Sequence, residues 1–457
     1  MKRKYSGRLV LFFLTLILSA SPFLFTSCDT TRNADAVISY NPDTTYQVME
    51  GFGAFNTLSF WKDETYANKL DMVATDLGLS IMRFELPPTF HAEKDSGYNL
   101  EGSVFGGPTL EDNFRDVKEL HKRGVNKFIA TIWSPPAWMK TLNSKGEGPT
   151  TNFGGSLRED MYGAFAEYCV AYCKTFKEQT GVELYGIGLQ NEPEFVEPYN
   201  SCVYTPDQMR EALRAAGRKF REEGIKTKIY LPEALPAQQH VADFFNAVNE
   251  DEETRNYVAV FAIHNYDKDG MNVGGASAKQ WAEYHGLAQS TPPAKELWMT
   301  ETSGHPNTWK GAMLLAANIY NAIQYGNLNA WVWWAIADKK SSEVYALIVD
   351  GKPTGRYFAS KHYYRFIRPG AERIKATSTD DDVLVLGFKN SDIYNYSFVL
   401  INKSDVTKQV GMPRIKSARE RKVYLSSDSL RCEIQPNATG RVISLPAQSI
   451  ATVVWEQ

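Results

Sequence analysis

The sequence predicts an α/β protein: a (β/α)8 TIM barrel with a C-terminal side β-sandwich that also takes in an N-terminal strand segment. Three observations carry this. Eight short apolar runs alternate with longer amphipathic stretches inside about 300 residues, the rhythm of repeated β–α units. Charged or aromatic residues stand at or near the ends of these runs, where a barrel of this kind keeps its active site. After "HYYRFIRPG" the texture changes to short alternating runs separated by turn residues, with no long helical pattern.

In chain order, "MKRKYSGR" supplies positive charge and "LVLFFLTLILSASPFLF" is an apolar run of signal-peptide type. It ends at "FTSC", Phe25 to Cys28, a small residue before a cysteine as in bacterial lipoprotein cleavage sites, with Phe25 where leucine is usual. Residues 1–28 are therefore expected to be a signal peptide with a lipobox cysteine. Cys28 would become the lipidated first residue and the only link to a membrane, the outer membrane of a bacterium on its periplasmic or outer side. An ordinary secretory signal or an uncleaved anchor is the alternative, and each implies export. Residues 29–36 read as a polar linker, and 37–50 as a strand segment that joins the side β-domain. The barrel is expected over 51–368 and the β-sandwich over 369–457.

The eight barrel runs are "GFGAF" (51–55), "SIMRFEL" (80–86), "FIATIW" (128–133), "LYGIGLQ" (184–190), "KIYLPEA" (228–234), "VAVFAIH" (258–264), "ELWMTE" (296–301) and "AWVWWA" (330–335). Between them, "REDMYGAFAEYCVAYCKTFKEQTG" and "TPDQMREALRAAGRKFREEG" have helical periodicity. The second opens on Thr205-Pro206, an N-cap followed by a proline in the first turn, and closes on Gly224. A doubly wound open sheet would show the same alternation, but no glycine-rich phosphate loop follows the first run. Beyond the barrel, "DDVLVLGFKN", "IYNYSFVLIN", "RKVYLSS" and "ISLPAQSIATVVWE" are the expected sandwich strands.

The 457 residues carry 24 Tyr, 24 Phe and 10 Trp, which suits a large core and equally suits flat-faced ligands. A net charge of −3, with no basic block beyond the N-terminus, argues against a nucleic-acid partner. Cys169 and Cys173 lie four apart in a predicted helix, a spacing that rarely meets disulfide geometry. They, Cys202 and Cys432 are expected as buried free thiols. No cysteine or histidine cluster has metal spacing, and no step calls for a cofactor.

The strand ends deliver Arg83 and Glu85, Trp133, Asn191 and Glu192, Glu233, His264 and Tyr266, Glu301, and the trio Trp331, Trp333 and Trp334. A single glutamate there is as readily half of a structural ion pair. Several carboxyls together with an arginine and tryptophans fit a specific chemistry, hydrolysis of a glycosidic bond. One carboxylic acid must protonate the leaving oxygen, and a second carboxylate must attack the anomeric carbon or activate water. Aromatic faces would bind the sugar ring. On these grounds alone the choice among Glu85, Glu192, Glu233 and Glu301 stays open.

The motifs "GFGAF", "WSPPAWMK", "LQNEPEF", "ELWMTE" and "RFIRPGAERI", in this order, resemble glycoside hydrolase family 30, and the resemblance runs from about Tyr46 to the closing "LPAQSIATVV". That family joins a (β/α)8 barrel to a side β-domain and cleaves β-glycosides with retention of configuration. The resemblance implies that Glu192 is the general acid/base and Glu301 the nucleophile. It implies that Asn191 bonds the 2-hydroxyl of the sugar under attack, that Arg83 holds Glu301 ionised, and that Tyr266, in "HNY" beside His264, orients it. Trp133 and Trp334 would line the pocket for the same sugar.

The spacing of "NEPEFVEPYNSCVYTPDQM" and the tail "RFIRPGAERIKAT" look closest to the xylan-cleaving branch, which points to an endo-β-1,4-xylanase. Xylanases that need a glucuronic acid branch carry arginine just after the tryptophans, where this chain reads "WWAIADKKSSE". Lys339 or Lys340 could stand in only as a point charge without the bidentate fork, so strict glucuronate dependence is not expected. A β-1,6-glucanase or an exo-acting β-glucosidase or β-xylosidase of the same family is the alternative. A non-catalytic glycan-binding lipoprotein is an alternative of another class. The expected partner is a β-linked polysaccharide or oligosaccharide, and the expected state is a monomer.

Overall fold

The computed structural model describes residues 33–61, 65–235, 238–266, 276–290, 292–339, 345–390, 394–415, 420–436, 438 and 440–456. Three sequence expectations fall outside them: the signal segment 1–28, its Cys28, and Lys340. Strand β1 (Ala36–Val48) precedes the barrel. Then come β2 (Gly51–Phe55), β3 (Ile81–Glu85), β4 (Lys127–Thr131), β5 (Gly186–Gly188), β6 (Lys228–Ala234), β7 (Val258–His264), β8 (Glu296–Glu301) and β9 (Ala330–Trp333). These eight, β2 to β9, close into one barrel in chain order, with β9 pairing in parallel back onto β2.

Parallel strands covered on both faces read as unbroken apolar runs rather than alternating ones, which is why the runs were visible in sequence. Inside the barrel, Ile81, Ile129, Tyr230, Val260, Ala262, Trp298, Ala330 and Val332 fill the lumen. Outside, the helices pack their apolar faces against it. The helix Pro206–Glu222 shows how: Thr205 and Gln208 form a reciprocal capping box, Pro206 opens the first turn, and Met209, Leu213 and Phe220 are buried. Each large side chain so buried contributes about 1.5–3 kcal/mol. The helix Tyr162–Thr180 buries Cys169 and Cys173 as free thiols, and Cys202 and Cys432 are likewise buried and free.

The side domain is one nine-stranded sheet curled over itself. From one edge its order is Glu433–Ile434, Glu420–Ser426, Ser449–Glu456, Tyr394–Asn402, Val383–Lys389, Glu372–Ser378, β1, Lys408–Gly411 and Val442–Leu445. β1 joins the two halves: Ala36 and Val37 pair in parallel with Val410 and Gly411, and from Ile38 onward it pairs antiparallel with Glu372–Ser378. The enclosed core runs from Ile38 and Phe398 to Val410 and Leu445. The strands Glu372–Ser378 and Lys408–Gly411 were not anticipated. The first, "ERIKATS", has Ile374 as its one large apolar residue, and the second has only four residues. The helix Gly355–Tyr364 fastens the two parts together through His362, whose Nδ1 and Nε2 each lie 2.8 Å from a hydroxyl, of Thr452 and Ser426 respectively.

Candidate active site

The rim at the C-terminal ends of the barrel strands surrounds a cleft of about 800 Å³. Its lining includes Glu192, Glu301, Asn191, Tyr266, Trp133 and Trp334, six of the residues singled out from sequence. Glu192 follows the end of β5 in a left-handed backbone conformation (φ 44°), which non-glycine residues adopt only when their surroundings impose it. The constraint comes from two backbone bonds: Asn191 N–H to the Ile132 carbonyl at 2.7 Å and Glu192 N–H to the Glu233 carbonyl at 3.2 Å. Glu301 ends β8, and its carbonyl accepts the Asn265 N–H at 3.0 Å. A carboxylate oxygen of Glu192 lies within 4.8 Å of one of Glu301, with a His264 ring nitrogen equally near.

Arg83, from β3, is fully buried beneath this pair. Its Nη1 donates to Glu301, and its Nη2 donates to Asn191 Oδ1 at 3.0 Å and to Glu233 Oε1 at 3.1 Å. Nε donates to Thr131 Oγ1 at 3.0 Å. The face of the guanidinium lies 4.7 Å from the Trp133 ring centre, a cation–π contact that fixes the indole as well. Tyr266 donates its hydroxyl to Glu301 Oε1 at 2.9 Å. His264 is also fully buried, with Nδ1 at 2.9 Å from Glu192 Oε1 and Nε2 at 3.6 Å from Glu233. Arg83, expected to act on Glu301, does so; it and His264, both grouped at the sequence level with the substrate-binding residues, lie below the cleft against the carboxyls.

Of the four candidate glutamates, only Glu192 and Glu301 face the cleft. Glu233 is fully buried, with its own backbone left-handed (φ 55°). It fits because β5 carries Gly188 there: a Cβ at Gly188 would stand 2.2 Å from Glu233 Oε2. Glu85 is buried against the side-chain amide of Asn200 (2.9 Å) and the Phe105 N–H (3.2 Å). Of the three tryptophans after β8, Trp331 and Trp333 are fully buried in the wall, and Trp334 alone lines the cleft. Phe55, 4.3 Å from Trp334 and 5.5 Å from Trp133 between ring centres, and Phe105 complete an aromatic floor. Phe195, Tyr199 and Tyr345, each between 42 and 50% exposed, stand on its edge.

The charges divide the carboxyls. Burial works to raise Glu233, but Arg83 and then His264 outweigh it and the group ends below its ordinary range. At Glu301 burial is the stronger influence and leaves the carboxyl raised; Arg83 and His264 pull it down, and Glu192 pushes it up. The ion pair expected from the resemblance is present, but its pull does not fully offset burial. Burial would lower His264, yet the Glu301 charge, the bond to Glu192 and the nearby Glu233 carboxylate raise it to about 9, so the imidazole is cationic at neutral pH and donates to Glu192. The donor atoms of Glu192, His264 and Glu301 cluster closely enough for a metal. Each is already engaged with a protein partner, beside the Arg83 charge, so the set is built as a hydrogen-bonded network.

Sequence reading missed two further acids here. Glu194 accepts the Leu235 N–H at 2.5 Å, and burial raises it to about 7. Glu197 lines the cleft from the loop after β5. Both letters stand in "NEPEFVEP", but only the return of that loop brings Glu197 to Glu192. Lys339 lies in a separate recess with Thr65, Lys69, Asp338 and Asp350.

The family model described as "O-Glycosyl hydrolase family 30" matches residues 113–274. The glucuronoxylanase XynC of Bacillus subtilis (strain 168) is 26% identical over 437 residues, 91% of each chain. A GH30 endoxylanase from Clostridium papyrosolvens C71 superposes with a TM-score of 0.72 at 24% identity, over 93% of this chain and 100% of that one. An endo-beta1,6-glucanase superposes with a TM-score of 0.69 at 22% identity, over 92% and 94%. Barrel, paired carboxyls and relatives agree on an O-glycosyl hydrolase. More narrowly, the chain is similar to glycoside hydrolase family 30, whose model matches its residues 113–274.

Proposed function

We propose that this enzyme is an endo-β-1,4-xylanase that does not depend strictly on a glucuronic acid branch, with Glu301 as nucleophile and Glu192 as general acid/base. The observation that carries the mechanism is the closeness of the two cleft-facing carboxyls, within 4.8 Å oxygen to oxygen. A retaining enzyme holds its carboxyls about 5–5.5 Å apart, whereas an inverting one leaves about 6.5–9.5 Å for a water. Glu301, set by Arg83 and Tyr266, attacks the anomeric carbon while Glu192 protonates the departing oxygen. Glu192 then takes a proton from the water that releases the glycosyl group. Asn191, held by Arg83, is placed for the 2-hydroxyl, and Trp133 and Trp334 for the ring face.

The xylan reading draws on the relatives whose names carry xylanase activity. Independence from glucuronate draws on the cleft itself, whose described lining includes three carboxyls and no lysine or arginine. The likeness to an endo-beta1,6-glucanase favours β-1,6-glucan as the second reading. Export with a lipid anchor at Cys28 is proposed from the N-terminal sequence alone. The test is reducing-sugar release with product sizing on plain xylan, glucuronoxylan, β-1,6-glucan and aryl β-glycosides, with Glu301→Gln as control. Oligomers from xylan, at similar rates with and without glucuronate, are expected. Cleavage of β-1,6-glucan or aryl glycosides alone would overturn the substrate and keep the mechanism.

A further inference from the structure

Glu197 is the one buried cleft acid that the reaction as described leaves unused. Its backbone is pinned on both sides. The N–H donates to Ser201 Oγ at 3.1 Å, and its carbonyl accepts from Ser201 Oγ at 3.2 Å and from the Phe153 N–H at 2.9 Å. The Ser201 carbonyl in turn accepts from the buried ammonium of Lys140 at 2.6 Å. The residue is 2% exposed, and its Oε2 is buried without a donor. Its carboxyl lines the same cleft as that of Glu192, close enough for the Glu192 charge to act on it. Two carboxylates have only acceptors to offer each other, so a bond between these neighbours needs a proton on one of them.

Glu233 is buried to the same depth but has Arg83 against it. Among the described residues no cation is paired with Glu197: the charges that act on it are those of Glu192 and Glu301, and it acts in turn on the Tyr199 phenol. Glu192 for its part meets His264 and acts on Glu194, Tyr199 and Tyr266.

We propose that Glu197 is a positioning residue of the hydrolytic reaction that stays protonated throughout the cycle and donates its hydrogen bond to Glu192. This rests on Glu192 being the acid/base. In the first step the Glu192 proton passes to the glycosidic oxygen as the anomeric C–O bond breaks and the bond to Glu301 forms. Glu192 is left as a carboxylate, and the Glu197 hydroxyl stabilises that charge without losing its own proton. In the second step Glu192 takes a proton from water, and the bond relaxes. Burial, then the charge of Glu192, push Glu197 up to about 10, so it keeps its proton through the neutral range.

The test compares Glu197→Gln, a neutral donor of the same shape, with Glu197→Leu. Glu197→Gln is expected to keep kcat/KM and its pH profile near wild type on the unactivated glycan. Glu197→Leu is expected to lose on the order of tenfold to a hundredfold there, the scale of one hydrogen bond to a charged group. Its basic limb should move to higher pH, because the Glu192 carboxylate has lost a donor. Aryl glycosides whose leaving group needs no proton should be spared in their first step. A Gln variant as impaired as the Leu variant, or a Leu variant with an unmoved limb, would overturn the proposal.

Infrared spectroscopy reads the same proton without any substrate. Wild type should show a protonated-carboxyl band at pH 9 that Glu197→Gln abolishes, and no such difference would equally overturn the inference. If the wild type cleaves no glycan, the proposed function fails, and the infrared band still decides whether Glu197 carries its proton.

Discussion

The two ends of the barrel both carry charge, and they balance it differently. At the N-terminal end, Glu50 and Glu296 meet Lys127 and Lys228 around the Tyr185 ring, which lies 5.0 and 4.7 Å from the two ammonium groups and stacks on Trp298. Two carboxyls face two lysines, half-buried, and the cluster closes the barrel. At the C-terminal end, Glu85, Glu192, Glu194, Glu197, Glu233 and Glu301 gather, most of them deeply buried, and among the described residues the cations against them are Arg83 and His264. An even count needs nothing more. An excess of acid must be met by protons, and a group that gains and loses a proton is what acid/base chemistry requires. In this account Arg83 and His264 hold Glu233 ionised and pull Glu301 down against burial, Glu197 holds a proton, and Glu192 is left to cycle.

Substitutions can break that contrast, beginning with the largest effect. Glu301→Gln is expected to lower turnover by on the order of 10⁵-fold or more, the scale of removing a nucleophile, while sugar binding measured by calorimetry survives. Glu192→Gln should cost about 10²–10⁴-fold on unactivated glycans and far less in the first step on activated aryl glycosides; parallel kinetics on the two substrates show it. Arg83→Met leaves Glu233 and Glu301 buried without their cation, and chemical denaturation should report a loss of about 3–5 kcal/mol. At the opposite end, Lys127→Met should cost about 1 kcal/mol at most, since its pair with Glu50 is partly solvated. It should leave kcat unchanged. Equal damage from Arg83→Met and Lys127→Met would erase the distinction between the two ends.

The two buried histidines sharpen the comparison through pH. His362, between helix and side sheet, is lowered to about 3 by burial and then by Lys361, while His264 is raised to about 9. Between about 3 and the ordinary value near 6.5 the unfolded chain binds the His362 proton and the folded one does not, so this contribution to stability falls as pH drops through that window. For His264 the folded state holds the extra proton between about 6.5 and 9, so its contribution is full below 6.5 and fades as pH rises toward 9. Thermal melts of His362→Gln against wild type should therefore converge between pH 7 and pH 4.

Much of this was legible in the chain. Continuous apolar runs revealed the barrel strands because parallel strands are covered on both faces, and Thr205-Pro206 marked a helix start by its own capping chemistry. Four glutamates stood at strand ends because those are fixed positions, and only the family resemblance separated Glu192 and Glu301 from Glu85 and Glu233. What stayed hidden depended on chain reversal or on burial. Nothing local in "EFVEPYNS" states that Ser201 and Lys140 fold Glu197 back onto Glu192. Arg83 and His264 were named, but their depth below the cleft, which makes them electrostatic rather than substrate contacts, is a property of packing. The strand Lys408–Gly411 was invisible because four residues with one buried valine make no pattern until β1 lies beside them.

The central claim is that the C-terminal excess of carboxyls serves a retaining double displacement through Glu301. Incubation with activated 2-deoxy-2-fluoro β-xylobiosides and β-glucosides, followed by peptide mapping, tests it directly. The account predicts a stable glycosyl ester on Glu301. A label on Glu192, Glu197 or Glu233, or first-formed products of inverted configuration, would contradict it.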